Sequence, residues 1–135
     1  MDLAIFDKVY QHRFEVTEAV YEAFQVCSGD MNPMHVQDEY AQKYGYESHI
    51  MYGNILNGFV SYFVGMLLPV QNVVILSQDI SYHKPVYLGD VLEFEAKVAH
   101  VSDAMNTVEF KYVFKCANGG WRVAKGIVAI KYIGE

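Results

Sequence analysis

Two rhythms of apolar and polar residues divide the chain. In its second half Leu92-Glu93-Phe94-Glu95-Ala96-Lys97-Val98 alternates residue by residue, and Val108 to Lys115 keeps the same period of two. Successive side chains of an extended backbone point to opposite faces, so this period predicts strands with one buried and one wet face, as antiparallel sheets have. Asn118-Gly119-Gly120 is a hairpin signal, and Trp121 to Tyr132 supplies the strand after it. Val73 to Tyr82 reads as a further strand, joined on through Lys84-Pro85 and the turn Gly89-Asp90, and Tyr10 to Val16 as a first one.

Between these lies a different pattern. Ile55, Leu56, Phe59, Val60, Phe63, Val64, Leu67 and Leu68 recur at helical spacing, while Tyr62 and Met66 carry apolar character to other faces. The spacing predicts a helix from Gly53 to Leu68, buried nearly all round and ended by Pro69. Thr17 offers an N-cap for a helix over Glu18 to Val26, with Gly29 as a stop, and a short helix over Asp38 to Tyr44 ends at Gly45. One long buried helix and about five antiparallel strands predict a single α+β domain over residues 1–135, its sheet wrapped around the helix. Such a sheet keeps open edges, and edge-to-edge pairing of two copies is one way to cover them.

Composition narrows the class. The 135 residues suffice for one cored domain, and 53% apolar against 19% charged residues describes a well-buried globular chain. Eleven Tyr and eight Phe fit a large core or a dimer interface. With a net charge of −6 and no cluster of Lys and Arg interleaved with aromatics, nothing points to nucleic acid or to a membrane surface. Cys27 and Cys116 are far apart and form no CxxC motif. No basic segment followed by a long apolar one opens the chain, and Ile55 to Leu68 falls short of the ~20 residues a bilayer span requires, so the expected location is the cytoplasm. His12, His35, His49, His83 and His100 are scattered without metal-ligand spacing, so neither a metal nor another cofactor is expected.

Candidate chemistry concentrates in Ser28-Gly29-Asp30-Met31-Asn32-Pro33-Met34-His35. On a regular helix Asp30 and His35 would diverge by about 140° and could not meet over one substrate. Pro33 and the restricted Asn32 before it disfavour a regular helix, and Gly29 adds backbone freedom, so an irregular turn is expected to bring the two together. A carboxylate beside an imidazole can hold a water, take a proton from it and return one to a neighbouring carbon. The same residues also make an ordinary capped turn, with Asp30 bonding backbone N–H groups. Gly53, at the expected start of the buried helix, presents N–H groups that favour developing negative charge on a thioester carbonyl, or else merely permits a tight entry into the helix.

Taken together, residues 28–35, then Ala41, Gly45-Tyr46 and Ile50-Met51-Tyr52-Gly53, resemble the hydratase-2 motif of the MaoC-like dehydratase family. Lys84-Pro85-Val86-Tyr87-Leu88-Gly89-Asp90 resembles the family's later Pro-Val and Gly-Asp signature. The resemblance spans roughly residues 20 to 100 and implies a hot-dog fold, with a segment carrying the motif overhanging a long central helix. It implies an (R)-specific enoyl-CoA hydratase, a lyase that adds water reversibly across a trans-2-enoyl thioester, presented by CoA or an acyl carrier protein. By position, Asp30 and His35 would activate water, the Gly53 N–H would stabilise the enolate, and Asn32 would brace the motif loop. Two residues depart from the pattern: Tyr52 stands where the family has His, and Gly58 where many members have Ser, with Ser61 or Asn57 as possible replacements. Tyr52, Asn57, Gly58, Ser61 and Phe59 are accordingly expected near the substrate, and Phe59, Phe63 and Met66 either line an acyl tunnel or pack the core. Lys84, Arg122 and Lys125 are candidate cations for a CoA phosphate or solvated strand-end charges. A homodimer is the expected assembly. Hydrolysis of the thioester, or acyl binding without turnover, are the alternatives that an inherited fold leaves open.

Overall fold

The computed structural model describes residues 2–134. Five strands form one antiparallel sheet: β1 (Tyr10–Glu15), β2 (Val73–Tyr82), β3 (Val91–Ser102), β4 (Thr107–Cys116) and β5 (Arg122–Tyr132). Their spatial order is β1-β3-β4-β5-β2, so the two strands that flank the helical segment in sequence are the two edges. The alternating segments pair as their period demands: Phe94 faces Phe114, Ala96 faces Tyr112, and Phe110 faces Val128. β3 runs beyond the alternating stretch to Ser102 because a bulge after Val98 shifts the register and breaks the alternation there.

Helix α1 (Glu18–Ser28) starts where Thr17 accepts a hydrogen bond from Val20 N–H. It outlasts the expected Val26 by two residues and stops at Gly29, whose φ of 70° is the left-handed conformation that glycine adopts without strain. Pro33, expected to keep the motif irregular, instead opens a single turn, α2 (Pro33–Val36). Its fixed φ suits the first helical position, where no N–H is needed, and the Asn32 side chain caps it by accepting from Met34 N–H at 2.9 Å. α3 (Asp38–Lys43) follows, and Gly45 leaves it at φ 93°.

The central helix is α4 (Ile55–Tyr62), which continues through a wider π-helical turn, Phe63–Leu67. Gly53 and Asn54 form a tight turn before it rather than its first residues, with Leu56 N–H bonded to the Gly53 carbonyl. Ile55, Leu56, Val60, Phe63 and Val64 are buried against the concave side of the sheet. Phe63 is the centre of this core: its ring lies 5.2 Å from each of Tyr10, Phe94 and Phe110. The expectation of a helix buried all round is corrected, because Gly58, Ser61, Gly65, Tyr62 (41% exposed) and Met66 (62% exposed) form an open face. The sheet covers one side of a single helix; on the other, among the described residues, nothing would meet a side chain added at Gly58 or Gly65, and Tyr62 leans on His12 of β1. Among the described residues no helix is long and apolar enough to cross a membrane.

Burial leaves a mark on the tyrosines. Loss of water, helped by the charge of Asp7, pushes the Tyr10 hydroxyl up to about 12. Burial raises Tyr21 and Tyr112 further, reinforced by Tyr52 and Asp38 at Tyr21 and by Tyr82 and Asp79 at Tyr112. A folded-state pKa above the unfolded value of ~10 contributes stability that is complete below pH ~10 and lost as pH rises beyond it. Denaturant midpoints should therefore hold steady up to pH ~10 and fall above it, and phenolate absorbance should show a late-ionising fraction that titrates early once the chain is unfolded.

Candidate active site

The motif segment is bound to the sheet through one short extended stretch. Met51 N–H donates to the Val86 carbonyl at 2.8 Å, and Ile50 pairs with Tyr87 across a single β-bridge. On its other side Ile50 N–H donates to the Met34 carbonyl at 3.0 Å. The Ile50 carbonyl then receives two donors, His35 Nδ1 at 2.8 Å and the Tyr21 hydroxyl at 3.1 Å. Tyr21 shares its proton with the His35 carbonyl at 2.6 Å. A carbonyl can only accept, so His35 carries a proton on Nδ1, and in the neutral ring Nε2 is the nitrogen with the lone pair.

Tyr52 sits beneath the motif and is nearly fully buried. Its ring stacks on the His35 imidazole with centroids 4.3 Å apart, and its hydroxyl donates to the Asp30 carbonyl. Phe24 and Tyr21 flank it at 4.9 Å and 5.2 Å. The residue that departs from the family pattern thus touches both members of the Asp30–His35 pair. The Asp30 side chain is exposed, and its Oδ1 accepts from Asn32 N–H at 2.9 Å, the capped turn that the sequence left open as an alternative. His49 is held by Asp38, with Nδ1 to Oδ1 at 2.5 Å. The His49 backbone N–H, which also donates to Asp38 Oδ1 at 3.1 Å, and that ring contact together hold the Asp38 carboxyl below the usual carboxylate range.

A cavity of about 490 Å³ opens between the motif and the far end of β2. His35, Ile50 and Met51 form one side, Gly53, Asn54 and Leu56 the mouth of the central helix, and Tyr82 to Val86 the opposite wall. Gly53 N–H has no protein acceptor among the described residues. A Cβ at Gly53 would come within 2.9 Å of the Tyr82 ring, so the absence of a side chain is what lets that wall approach.

The cavity thus brings together His35, Gly53 and Lys84 but not the other candidates. Asp30 does not line it. Asn57 bonds Asn54 at 2.8 Å and also accepts from Gln78, Phe59 stacks on Phe14 at 4.4 Å, and Gly58 and Ser61 lie on the open helix face. Phe63 is core and Met66 is exposed, so the pair does not form a tunnel wall in the single chain. Lys84 does line the cavity, whereas Arg122 and Lys125 lie on the other side of the sheet. Tyr46, Asn54, Tyr82 and His83 were missed among the lining residues, as was Tyr21 beneath it. The Lys84-Pro85-Val86 motif signalled that wall, but no sequence signal separates Tyr21 from any core tyrosine on a helix.

The MaoC-like domain model matches residues 4–115. The chain belongs to this family. It is 28% identical over 111 residues to an (R)-specific enoyl-CoA hydratase of Rhodospirillum rubrum, covering 82% of this chain and 76% of that one. The likeness to the (R)-specific enoyl-CoA hydratase of Aeromonas caviae is 33% over 86 residues, covering 64% and 63%. With a 3-hydroxybutyryl-CoA dehydratase of Methylorubrum extorquens it is 29% over 87 residues, 64% of this chain and about half (55%) of the relative's length. Among solved structures, an R-hydratase from Pseudomonas aeruginosa superposes with a TM-score of 0.84 at 25% identity, covering 96% and 82%. These likenesses establish the hot-dog fold for this MaoC-like chain, the sheet wrapping the central helix.

The tautomer is directly measurable. Nitrogen-15 spectra of the imidazoles at neutral pH should show His35 protonated at Nδ1, and Tyr21→Phe should loosen that preference while costing about 1 kcal/mol of stability. A His35 protonated at Nε2 and not at Nδ1 in the intact protein would contradict the arrangement at Ile50.

Proposed function

We propose that this MaoC-like chain catalyses the reversible hydration of trans-2-enoyl thioesters to (R)-3-hydroxyacyl thioesters. The observation that carries the reading is the shared cavity of His35, whose Nδ1 is held by the Ile50 carbonyl, and Gly53, whose N–H has no protein acceptor among the described residues. In the hydration direction the water oxygen bonds to the β-carbon while His35 Nε2 takes one of its protons. Electron density moves onto the thioester oxygen, where the Gly53 N–H stabilises the enolate. The proton then passes to the α-carbon, so atoms balance and no cofactor is consumed. In this reading the water's second partner is Asp30, although its side chain does not itself line the cavity in the single chain. Its Oδ1 is engaged by Asn32, its other oxygen has no protein hydrogen bond among the described residues, and Tyr52 couples its backbone to the His35 ring. Asn32 braces the turn between them. The names of the relatives support an acyl-CoA as the substrate, and an acyl carrier protein remains the alternative carrier.

The working form in this reading is a homodimer in the cytoplasm. β2 is a ten-residue edge strand with Val74, Ile75, Leu76 and Tyr82 exposed, and long apolar edges are templates for pairing. A second copy paired there would also give the open face of the central helix a neighbour. That would place Asn57, Gly58, Phe59 and Ser61 beside an enclosed acyl chain.

Incubation with a short trans-2-enoyl-CoA should bleach its conjugated absorbance without releasing free thiol. Asp30→Asn and His35→Ala should each lower kcat/KM by about 10²–10⁴-fold with circular dichroism unchanged. Unaltered rates in both variants would exclude the assignment, and thiol release would favour hydrolysis instead. For the assembly, light scattering should give twice the chain mass for the parent and a shift toward monomer, with lost turnover, for Leu76→Asp.

A further inference from the structure

The face of the sheet turned away from the central helix carries a second cavity, a trough of about 610 Å³. Five of the chain's ten Lys and Arg residues line it: Lys97, Lys111, Lys115, Arg122 and Lys125. This is an unusual concentration in a chain of net charge −6. The strand register makes it costlier than scatter would. Lys97 stands directly opposite Lys111, and Lys115 directly opposite Arg122, placements that repel across a sheet. Among the described residues the ion pairs are Arg13–Glu93 and His49–Asp38, so none of the five has a carboxylate at ion-pair distance, and the one carboxylate directly opposite a trough cation, Glu93 across from Lys115, is held by Arg13. The trough's two carboxylates, Glu95 and Asp79, lie on its outer strands β3 and β2, leaving β4 and β5 to the cations alone. Between the basic rows, Val113 and Ile127 give an apolar floor.

We infer that this trough is a binding site for a nucleotide bearing two or more phosphate groups, its phosphates on Lys111, Lys115, Arg122 and Lys125 and its flat base over Val113 and Ile127. Each phosphate relieves repulsion already built into the fold, so binding stabilises the chain as well as the ligand. Two sources can supply this chemistry. Ser81 of the trough directly precedes Tyr82, His83 and Lys84 of the His35 cavity, and Arg122 directly precedes Val123 of that cavity. The two cavities therefore share strand ends, and the nucleotide end of a CoA thioester can lie in one while its acyl end lies in the other. A free nucleotide is the second source.

Calorimetric titration of the full chain with adenosine 3′,5′-bisphosphate decides whether the site exists. Saturable binding is expected, weakened with rising salt and at least tenfold weaker in Lys111→Gln/Arg122→Gln. Lys43→Gln, outside the trough, should bind as the parent does. The double variant should be no less heat-stable than the parent in the absence of ligand, since it removes one member of each like-charged pair. No binding by the parent, or equal binding by the double variant, overturns the proposal. The source is then read from turnover, an arm that rests on the hydration reading. A KM raised at least fivefold for an enoyl-CoA, but unchanged for the enoyl-pantetheine lacking the nucleotide, assigns the trough to the substrate's own nucleotide. Unchanged KM for both, with binding still lost, assigns it to a free nucleotide. If neither thioester is turned over, the hydration reading fails while the calorimetry still stands.

Discussion

The carbonyl oxygen of Ile50 is the fixed point on which the candidate site depends. It accepts from His35 Nδ1 and from Tyr21, while its own residue's N–H holds the Met34 carbonyl and the next residue's N–H holds Val86. Four contacts thus join α1, α2 and the chain leading into β3 at two consecutive peptides. A half-exposed imidazole on a single helical turn would otherwise be free to rotate and to choose its tautomer. Here the acceptor decides both, because a carbonyl oxygen accepts only a protonated nitrogen. Tyr21 matters for the same reason: buried, its hydroxyl has two carbonyls to satisfy, and burial keeps it protonated as a donor.

What was legible in the sequence follows from which forces act locally. The alternation of β3 and β4 is a direct imprint of a sheet with one wet face, so those strands and the hairpin at Asn118-Gly119-Gly120 were readable. The strand order was not, because it depends on which edge a strand reaches after crossing the helix. The central helix was recognisable by its apolar spacing, but its open face was not. Gly58, Ser61 and Gly65 are small rather than polar, and nothing in their chemistry says whether a sheet or a second chain lies over them. No regular helix runs through Asp30 to His35, as Pro33 leads one to expect, yet proline also favours first turns, and the Asn32 cap is the local sign that one begins there.

The motif residues were found by their pattern, whereas their arrangement came only from the fold. Asp30 and His35 do not converge through the irregularity of the turn alone; Tyr52 links them, one through its carbonyl and the other through ring stacking. A histidine at position 52 has a shorter reach and its own proton to place. The phenol donates to the Asp30 carbonyl and has a larger face to stack. The exchange therefore alters how firmly the pair is held without touching the backbone N–H that follows it.

The same economy of position shapes the sheet. Gly53 can carry an unpaired N–H at a cavity wall because it has no side chain to meet the Tyr82 ring, and that ring closes the wall because β2 ends beside β5. One residue before Tyr82 the chain turns its side chain to the opposite face, where the cations gather. A two-residue period therefore puts the cavity of His35 and Gly53 and a basic trough within one strand end of each other. A ligand that is apolar and reactive at one end and multiply charged at the other needs those two environments, and an antiparallel sheet supplies them on its two faces without a second domain.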